Sequence, residues 1–183
     1  MAGLSPSVRS ERGRLRAVVD RHYDFVWRVL RRFGLTSDEC DDATQEVFTV
    51  LATRIVDVHA GAEKTFLFQT ARNHASNVRR ARARLPLHAA EGELEAHPDP
   101  KPTPESVADE GKRRRLLDML LEKLPDDLRA VVVLCELEST TLAEAGLILD
   151  IPQGTVASRL RRARAQLATW MKDAGHPVRK EEP

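Results

Sequence analysis

From residue 13 onward, the apolar positions of this chain recur every three or four residues. Leu15, Val18, Val19, Val26, Val29, Leu30 and Phe33, with His22 among them, fall on one side of a helical wheel. The stripe predicts a first helix that begins near Gly13. It ends at Gly34, where a residue without a side chain can take the left-handed conformation of a C-terminal cap. The following "TSDEC" predicts a second start. Thr36, Ser37 or Asp38 can accept from the exposed first-turn amides, and acids there suit the helix dipole. Ala43, Val47, Val50 and Leu51 are the buried positions expected in that second helix. Asp57 to Thr65 reads as a loop, and a third helix is expected from about Thr65 to Leu85, with at least two of Phe66, Leu67 and Phe68 in the core.

The periodicity then breaks. Residues 86–111 hold five of the ten prolines and seven acids against one lysine. This composition predicts a linker, extended by proline and by self-repulsion. Its 26 residues could span up to roughly 90 Å. Periodicity returns with "RRLLDMLLEKL", amphipathic through Leu116, Leu117, Leu120, Leu121 and Leu124. Pro125 stops that helix, and Asp126 or Asp127 helps start the next, which carries Leu128, Val131, Val132 and Cys135. "TLAEAGLIL" predicts a short helix, Asp150 to Pro152 a sharp turn, and Gln153 to Met171 a last helix with Val156, Leu160, Ala163 and Leu167 as its apolar stripe. Strand-type alternation is rare, so the expected fold is all-α. It comprises two small helical domains, residues 13–85 and 112–175, joined by the linker 86–111. Residues 1–12 and 176–183 are expected to be disordered.

Composition narrows the function classes. At 183 residues, 42% hydrophobic and 31% charged, the chain has room for one medium domain or two small ones. A net charge of +1 excludes a protein that coats DNA by bulk charge, but the charges are segregated. Lys64 to Leu85 holds six basic residues and no acid, and Arg159, Arg161, Arg162 and Arg164 crowd the last helix. No apolar run reaches membrane-spanning length, and the N-terminus lacks the apolar core of a secretory signal. The expectation is a cytoplasmic protein with no direct membrane contact. Cys40 and Cys135 stand alone and are expected as buried small hydrophobes, so no metal site is expected. No nucleophile–base pair or phosphate-binding glycine loop is present, so the chain is read as neither an enzyme nor a cofactor binder.

The chemistry lies in the basic segments. A short helix, a tight turn and a second helix make a helix-turn-helix, whose second helix enters the major groove by its N-terminal residues. Gln153, Thr155, Ser158, Arg159 and Arg162 lie off the apolar stripe at that end. Such residues can bond base edges or phosphates; the alternative is a plain solvated face. The turn length, the lack of acids at i,i+4 and a second basic helix favour DNA. That second segment, "KTFLFQTARNHASNVRRARARL", mixes Phe66 and Phe68 with Asn73, His74, Asn77, Arg72, Arg79, Arg80, Arg82 and Arg84. Basic residues among aromatics and amides suit a strand-separated duplex.

On these residues the chain resembles the extracytoplasmic-function (ECF) sigma factors of bacterial RNA polymerase, in the sigma-70 family. "DDATQEVFTVL" is similar to the family's "DLTQEVF", "FLFQTARNHASNVRR" resembles "WLYRIARNLALDHLR", and the segment from "LPDDLRAVVV" to "RLRRARAQL" resembles region 4. The order and spacing of the three are more specific than any one alone. The resemblance implies that Asp42, Gln45, Glu46 and Phe48 contact the core polymerase, where Asp38, Glu39 and Asp41 add to an acidic patch suited to a basic partner. It implies that Arg72, Asn73, Asn77, Arg79 and Arg80 open and hold the −10 promoter element, with Asp57 to Lys64 shaping a pocket for a flipped-out base. Gln153, Thr155, Ser158, Arg159 and Arg162 would read the −35 element. The linker would thread the polymerase cleft towards the RNA exit, with Glu91, Glu93 and Glu95 supplying charge. Core polymerase, promoter DNA and an anti-sigma factor are the implied partners.

Several residues depart from the family pattern. Phe66 replaces Trp, Thr70 an aliphatic and Glu63 an aromatic around the melting region. In region 4, Ala145 and Gly146 replace Ile-Ala, Leu147 a polar residue, Asp150 the turn glycine and Ala157 a lysine. Two rival readings are a stand-alone helix-turn-helix regulator, which would not need the basic segment Lys64 to Leu85, and a DNA-free adaptor, which would need neither basic helix.

Overall fold

The computed structural model describes residues 6–84 and 104–173. They form seven α-helices and one π-helical turn, with no strand among the described residues. The chain divides into two compact units near residue 97.

The first unit packs α1 (Pro6–Arg32), α2 (Ser37–Arg54) and α3 (Glu63–Arg84) pairwise against one another. α1 starts at Pro6, upstream of Gly13 and inside the segment expected to be disordered. Proline suits a first helical position because its missing N–H would be unpaired there anyway. The expected stripe is the core: Val18, Val26, Val29, Leu30 and Phe33 are buried, with Phe25 added, while Val19 and His22 are half-buried. The helix ends in a Schellman motif. Gly34 takes φ 91°, its N–H donates to the Arg31 carbonyl (3.0 Å), and Leu35 N–H reaches back to Leu30 (3.3 Å).

Among the three expected caps of α2, Thr36 is the one used. Its hydroxyl accepts from Glu39 N–H while the Glu39 carboxylate accepts from Thr36 N–H, a reciprocal capping box. Ala43, Val47 and Leu51 are buried as expected, but Val50 is exposed and Phe48 is buried in its place. Cys40 and Thr44 are buried on α2 as well, which shifts the buried face towards Phe48 and leaves Val50 outside its edge. α3 begins at Glu63, within the expected loop. Leu67 and Phe68 enter the core, with the Phe68 ring 6.1 Å from Phe33 in an edge contact, and Phe66 stays half-exposed.

The second unit comprises α4 (Pro104–Lys123), α5 (Asp126–Val132), the π-helical turn Val133–Leu137, α6 (Leu142–Leu149) and α7 (Gln153–Asp173). α4 starts inside the segment expected to be linker, so the last residues of 86–111 are helical. The rest of that segment and the tail 176–183 lie outside the described residues. Leu120 and Leu121 bury one face of α4, with Leu124 buried just past its end, while α5 and α6 both pack on α7 through Val156, Leu160 and Ala163. The π-helical turn continues the helix expected after Asp126; in it Cys135 is half-buried, whereas Cys40 in the first unit is fully buried. Arg129 is completely enclosed, and its guanidinium donates to the Glu122 and Leu124 carbonyls at the end of α4. A cation at a helix C-terminus meets orphan carbonyls and the negative end of the dipole, which is what a buried arginine needs.

Candidate nucleic-acid and protein interfaces

In the first unit the acidic and basic helices lie side by side. On α2, Asp38, Asp41, Asp42, Gln45 and Glu46 are exposed. Phe48, expected at the same surface, is buried, and its ring stacks on Tyr23 at 6.3 Å with an interplanar angle of 2°. Of the pair, Tyr23 is the partner that reaches solvent.

Side chains of α1 and α3 tie the acidic helix to its neighbours. Arg82 of α3 bonds both the Glu39 carboxylate and the Gly34 carbonyl. His74 Nδ1 lies 3.3 Å from Glu46, and the Trp27 indole N–H donates to Asp41 (2.8 Å). Part of the acidic patch is therefore engaged within the unit, and Asp42 and Gln45 remain as its solvent-facing centre. Sequence spacing alone could not show this, because each partner comes from another helix.

On α3, Asn73, Asn77, Arg80 and Arg84 fall at i, i+4, i+7 and i+11 and are all exposed, forming one polar stripe. Arg80 donates to the Asn77 side chain (3.1 Å). Arg72 and Arg79 flank the stripe and are half-buried. Amides interleaved with guanidinium groups can bond bases and neutralise phosphates in the same groove.

The loop before α3 has an internal anchor that the residue pattern did not reveal. Arg14 of α1 reaches the carbonyls of Ile55 (3.0 Å) and Val58 (2.5 Å) and pairs with Glu63 at 2.7 Å. The other Glu63 oxygen accepts from Gly61 N–H (2.6 Å). Partial burial works against the Glu63 charge, yet the bonds from Arg14 and from the Glu63 and Gly61 amides outweigh it and hold the carboxyl below its ordinary range. Glu63, a departure from the family pattern, thus has a structural role. Thr70 and Phe66 do too: the Thr70 hydroxyl donates to the Phe66 carbonyl, and Arg54 lies over the Phe66 ring at 5.7 Å.

In the second unit, α6 and α7 form the helix-turn-helix. Thr141 and Glu144 close a second capping box at the start of α6. Asp150 takes the left-handed conformation at the turn, φ 54° and ψ 48°, a region that aspartate tolerates better than most residues. At the start of α7, Gln153 and Arg162 are exposed, while Thr155, Ser158 and Arg159 are half-buried. The Ser158 hydroxyl is turned back to the Thr155 carbonyl (3.0 Å), and Arg159 lies 3.4 Å from Asp127 of α5. Arg164 is held by Glu136. The acids missing from α7 itself are therefore supplied by neighbouring helices. Ala157 is half-buried, and Leu147 on α6 is 78% exposed. Burial pushes the Cys135 thiol up, with Glu136 acting in the same direction and Arg164 against it.

Two family profiles match in order. Sigma-70 region 2 matches residues 18–85, spanning most of α1, with α2 and α3, and sigma-70 region 4 matches residues 114–167, spanning the helix-turn-helix. The chain belongs to the sigma-70 family. Its relatives carry ECF names. The ECF RNA polymerase sigma-E factor of Escherichia coli is 31% identical over 156 residues, which are 80% of this chain and 81% of that one. The sigma-E factor of Haemophilus influenzae is 30% identical, covering 82% and 83%. ECF sigma factor SigE of Mycolicibacterium smegmatis is 29% identical over 84% of this chain; this sigma factor spans 60% of that relative's length. Among solved structures, CnrH, determined in complex with the cytosolic domain of CnrY, shares the fold with a TM-score of 0.64 at 21% identity, covering 87% of this chain and 88% of its own. Among the described residues, no helix is long and apolar enough to cross a membrane.

Proposed function

We propose that this sigma factor binds core RNA polymerase through α2 and directs promoter-specific initiation. Asp42, Gln45 and Glu46 form the polymerase contact, with the Tyr23–Phe48 stack shaping the surface beneath them. Asn73, Asn77 and Arg80, flanked by Arg72 and Arg79, hold the melted −10 strand. Gln153, Thr155, Ser158, Arg159 and Arg162 address the −35 duplex. An anti-sigma factor that covers the polymerase-binding face is the expected regulator. The chain does no covalent chemistry in this reading; synthesis belongs to the core enzyme.

The observation that carries the reading is the packing of an acidic helix against a basic one in a single small unit. Polymerase contact and single-strand contact then sit on adjacent faces of a rigid body. Docking through α2 fixes where the α3 stripe meets DNA, so DNA opening requires both protein and core. Permanganate reactivity of unpaired thymines on a promoter fragment tests this. Reactive thymines are expected only when core and this protein are present together. Equal reactivity with core alone, or duplex binding by this protein as a dimer on a palindrome with no opening, would favour a stand-alone regulator.

A further inference from the structure

The loop between α2 and α3 is shaped by one guanidinium. Arg14 donates to the carbonyls of Ile55 and Val58, and also to Glu63, whose second oxygen takes the Gly61 amide. A residue of α1 thereby joins the C-cap of α2, the middle of the loop and the first residue of α3. The loop's other backbone ties are few: the Asp57 and Val58 amides bond the Arg54 carbonyl, and the Ala62 amide bonds His59. Its outer side, with Val56, Asp57, His59, Ala60 and Gly61, is exposed.

A second arginine, Arg54, approaches the loop from outside, 3.8 Å from Asp57. That pair is about 60% exposed on both sides, so screening leaves it weak. The Arg14 and Glu63 side chains are 31% and 12% exposed, and the guanidinium's planar fork matches two carbonyls and a carboxylate in a way that an ammonium cannot.

We infer that Arg14 and Glu63 are positioning residues that fix the 55–62 loop in one shape and thereby set which unpaired −10 base is accepted beside α3. The inference rests on the proposed −10 role of the first unit. Recognition of an extruded base depends on donors and acceptors held in one geometry. A loop with pinned carbonyls offers that geometry before binding, whereas an unpinned loop must be ordered by the base itself, at a cost in affinity and selectivity. Both side chains spend their polar atoms on the loop, so neither is a base reader itself.

The test is initiation by core polymerase with the full-length protein on a promoter library randomised in both elements, scored base by base. Arg14→Lys and Arg14→Ala are expected to flatten the preference at one −10 position by roughly tenfold, with the −35 preference unchanged. Glu63→Gln, which can still accept from Gly61, is expected to flatten it less. If Arg14→Ala does not fold, Arg14→Lys and Glu63→Gln carry the test. Folded variants that lower transcription uniformly, with the −10 preference intact, would reduce the pair to a structural role and overturn the inference. A wild-type protein that directs no initiation would instead remove the −10 reading, and the inference with it.

Discussion

Gly146 and the Ile151 carbonyl approach so closely that a Cβ on residue 146 would stand 2.9 Å from the oxygen. The same carbonyl turn is closed by a bond from Ile151 N–H to the Gly146 oxygen (3.0 Å). Glycine within a helix costs about 1 kcal/mol against alanine, so on propensity alone Gly146→Ala would stabilise α6. The obstacle is backbone, not a flexible side-chain end, and it cannot swing aside. Overpacking of this kind costs about 1–3 kcal/mol, so the clash outweighs the propensity gain. Gly146→Ala is expected to lower the melting temperature and weaken −35 duplex binding; a more stable variant would refute the assigned role.

Arg129 is the largest fully buried side chain among the described residues. Truncation leaves the Glu122 and Leu124 carbonyls without their donor and opens a cavity in the core. Arg129→Ala is expected to cost about 3 kcal/mol, read from urea denaturation. Arg129→Lys should lie between, since an ammonium can still donate to the carbonyls but does not fill the volume of the guanidinium. A loss below 1 kcal/mol would show that the buried guanidinium is dispensable.

The Glu63 carboxyl is held below its ordinary value of 4.5. A depressed carboxyl contributes stability that is fully present above its unfolded pKa and disappears as pH falls through the lower folded value. Thermal melts across the acid range should therefore show wild type more stable than Glu63→Gln at neutral pH, with the gap closing below about pH 4.5. A gap independent of pH would contradict the charge pairing with Arg14.

Arg159 and Arg162 differ in availability. Arg162 is exposed, whereas Arg159 is drawn towards Asp127 through a partly exposed pair. Such a pair is worth about 1 kcal/mol or less, so DNA can compete for Arg159. Arg162→Ala is expected to weaken −35 binding by about 1–3 kcal/mol where it contacts a base, or to reduce the salt slope by about 1 where it contacts a phosphate. Asp127→Asn is expected to strengthen binding modestly by releasing Arg159. Unchanged salt dependence and affinity in both variants would place this face away from DNA.

Helix stripes, the capping glycine Gly34, the acidic and basic segments and the helix-turn-helix were legible along the chain, because each depends on neighbours three or four residues away. Thr36 and Asp150 behave as local backbone chemistry requires. What could not be read depends on residues distant in sequence. The partners of Arg14 lie 41 to 49 positions away, and Arg164 meets Glu136 across 28. Val50 and Phe48 exchanged their expected places because Cys40 and Thr44, from other turns of α2, share the buried face and shift it towards Phe48. On propensity alone Gly146 is a local cost, and only the return of the chain at Ile151 gives it a role. Of the expected −10 positions, Asn73, Asn77 and Arg80 share one exposed stripe with Arg72 and Arg79 beside it, and the expected −35 positions lie in the first half of α7. Phe48 is the exception among the positions expected to contact polymerase: it is buried, and Tyr23, stacked on it, is the exposed member of the pair.

The most direct measurement of the central claim is transcription in vitro with purified bacterial core polymerase and this protein on a pool of genomic fragments. The account predicts transcripts from discrete sites only when the protein is added, with shared upstream sequences at two spacings, and loss of those transcripts when Asp42 and Gln45 are replaced by lysine. Duplex binding without core and no protein-dependent start site would contradict it.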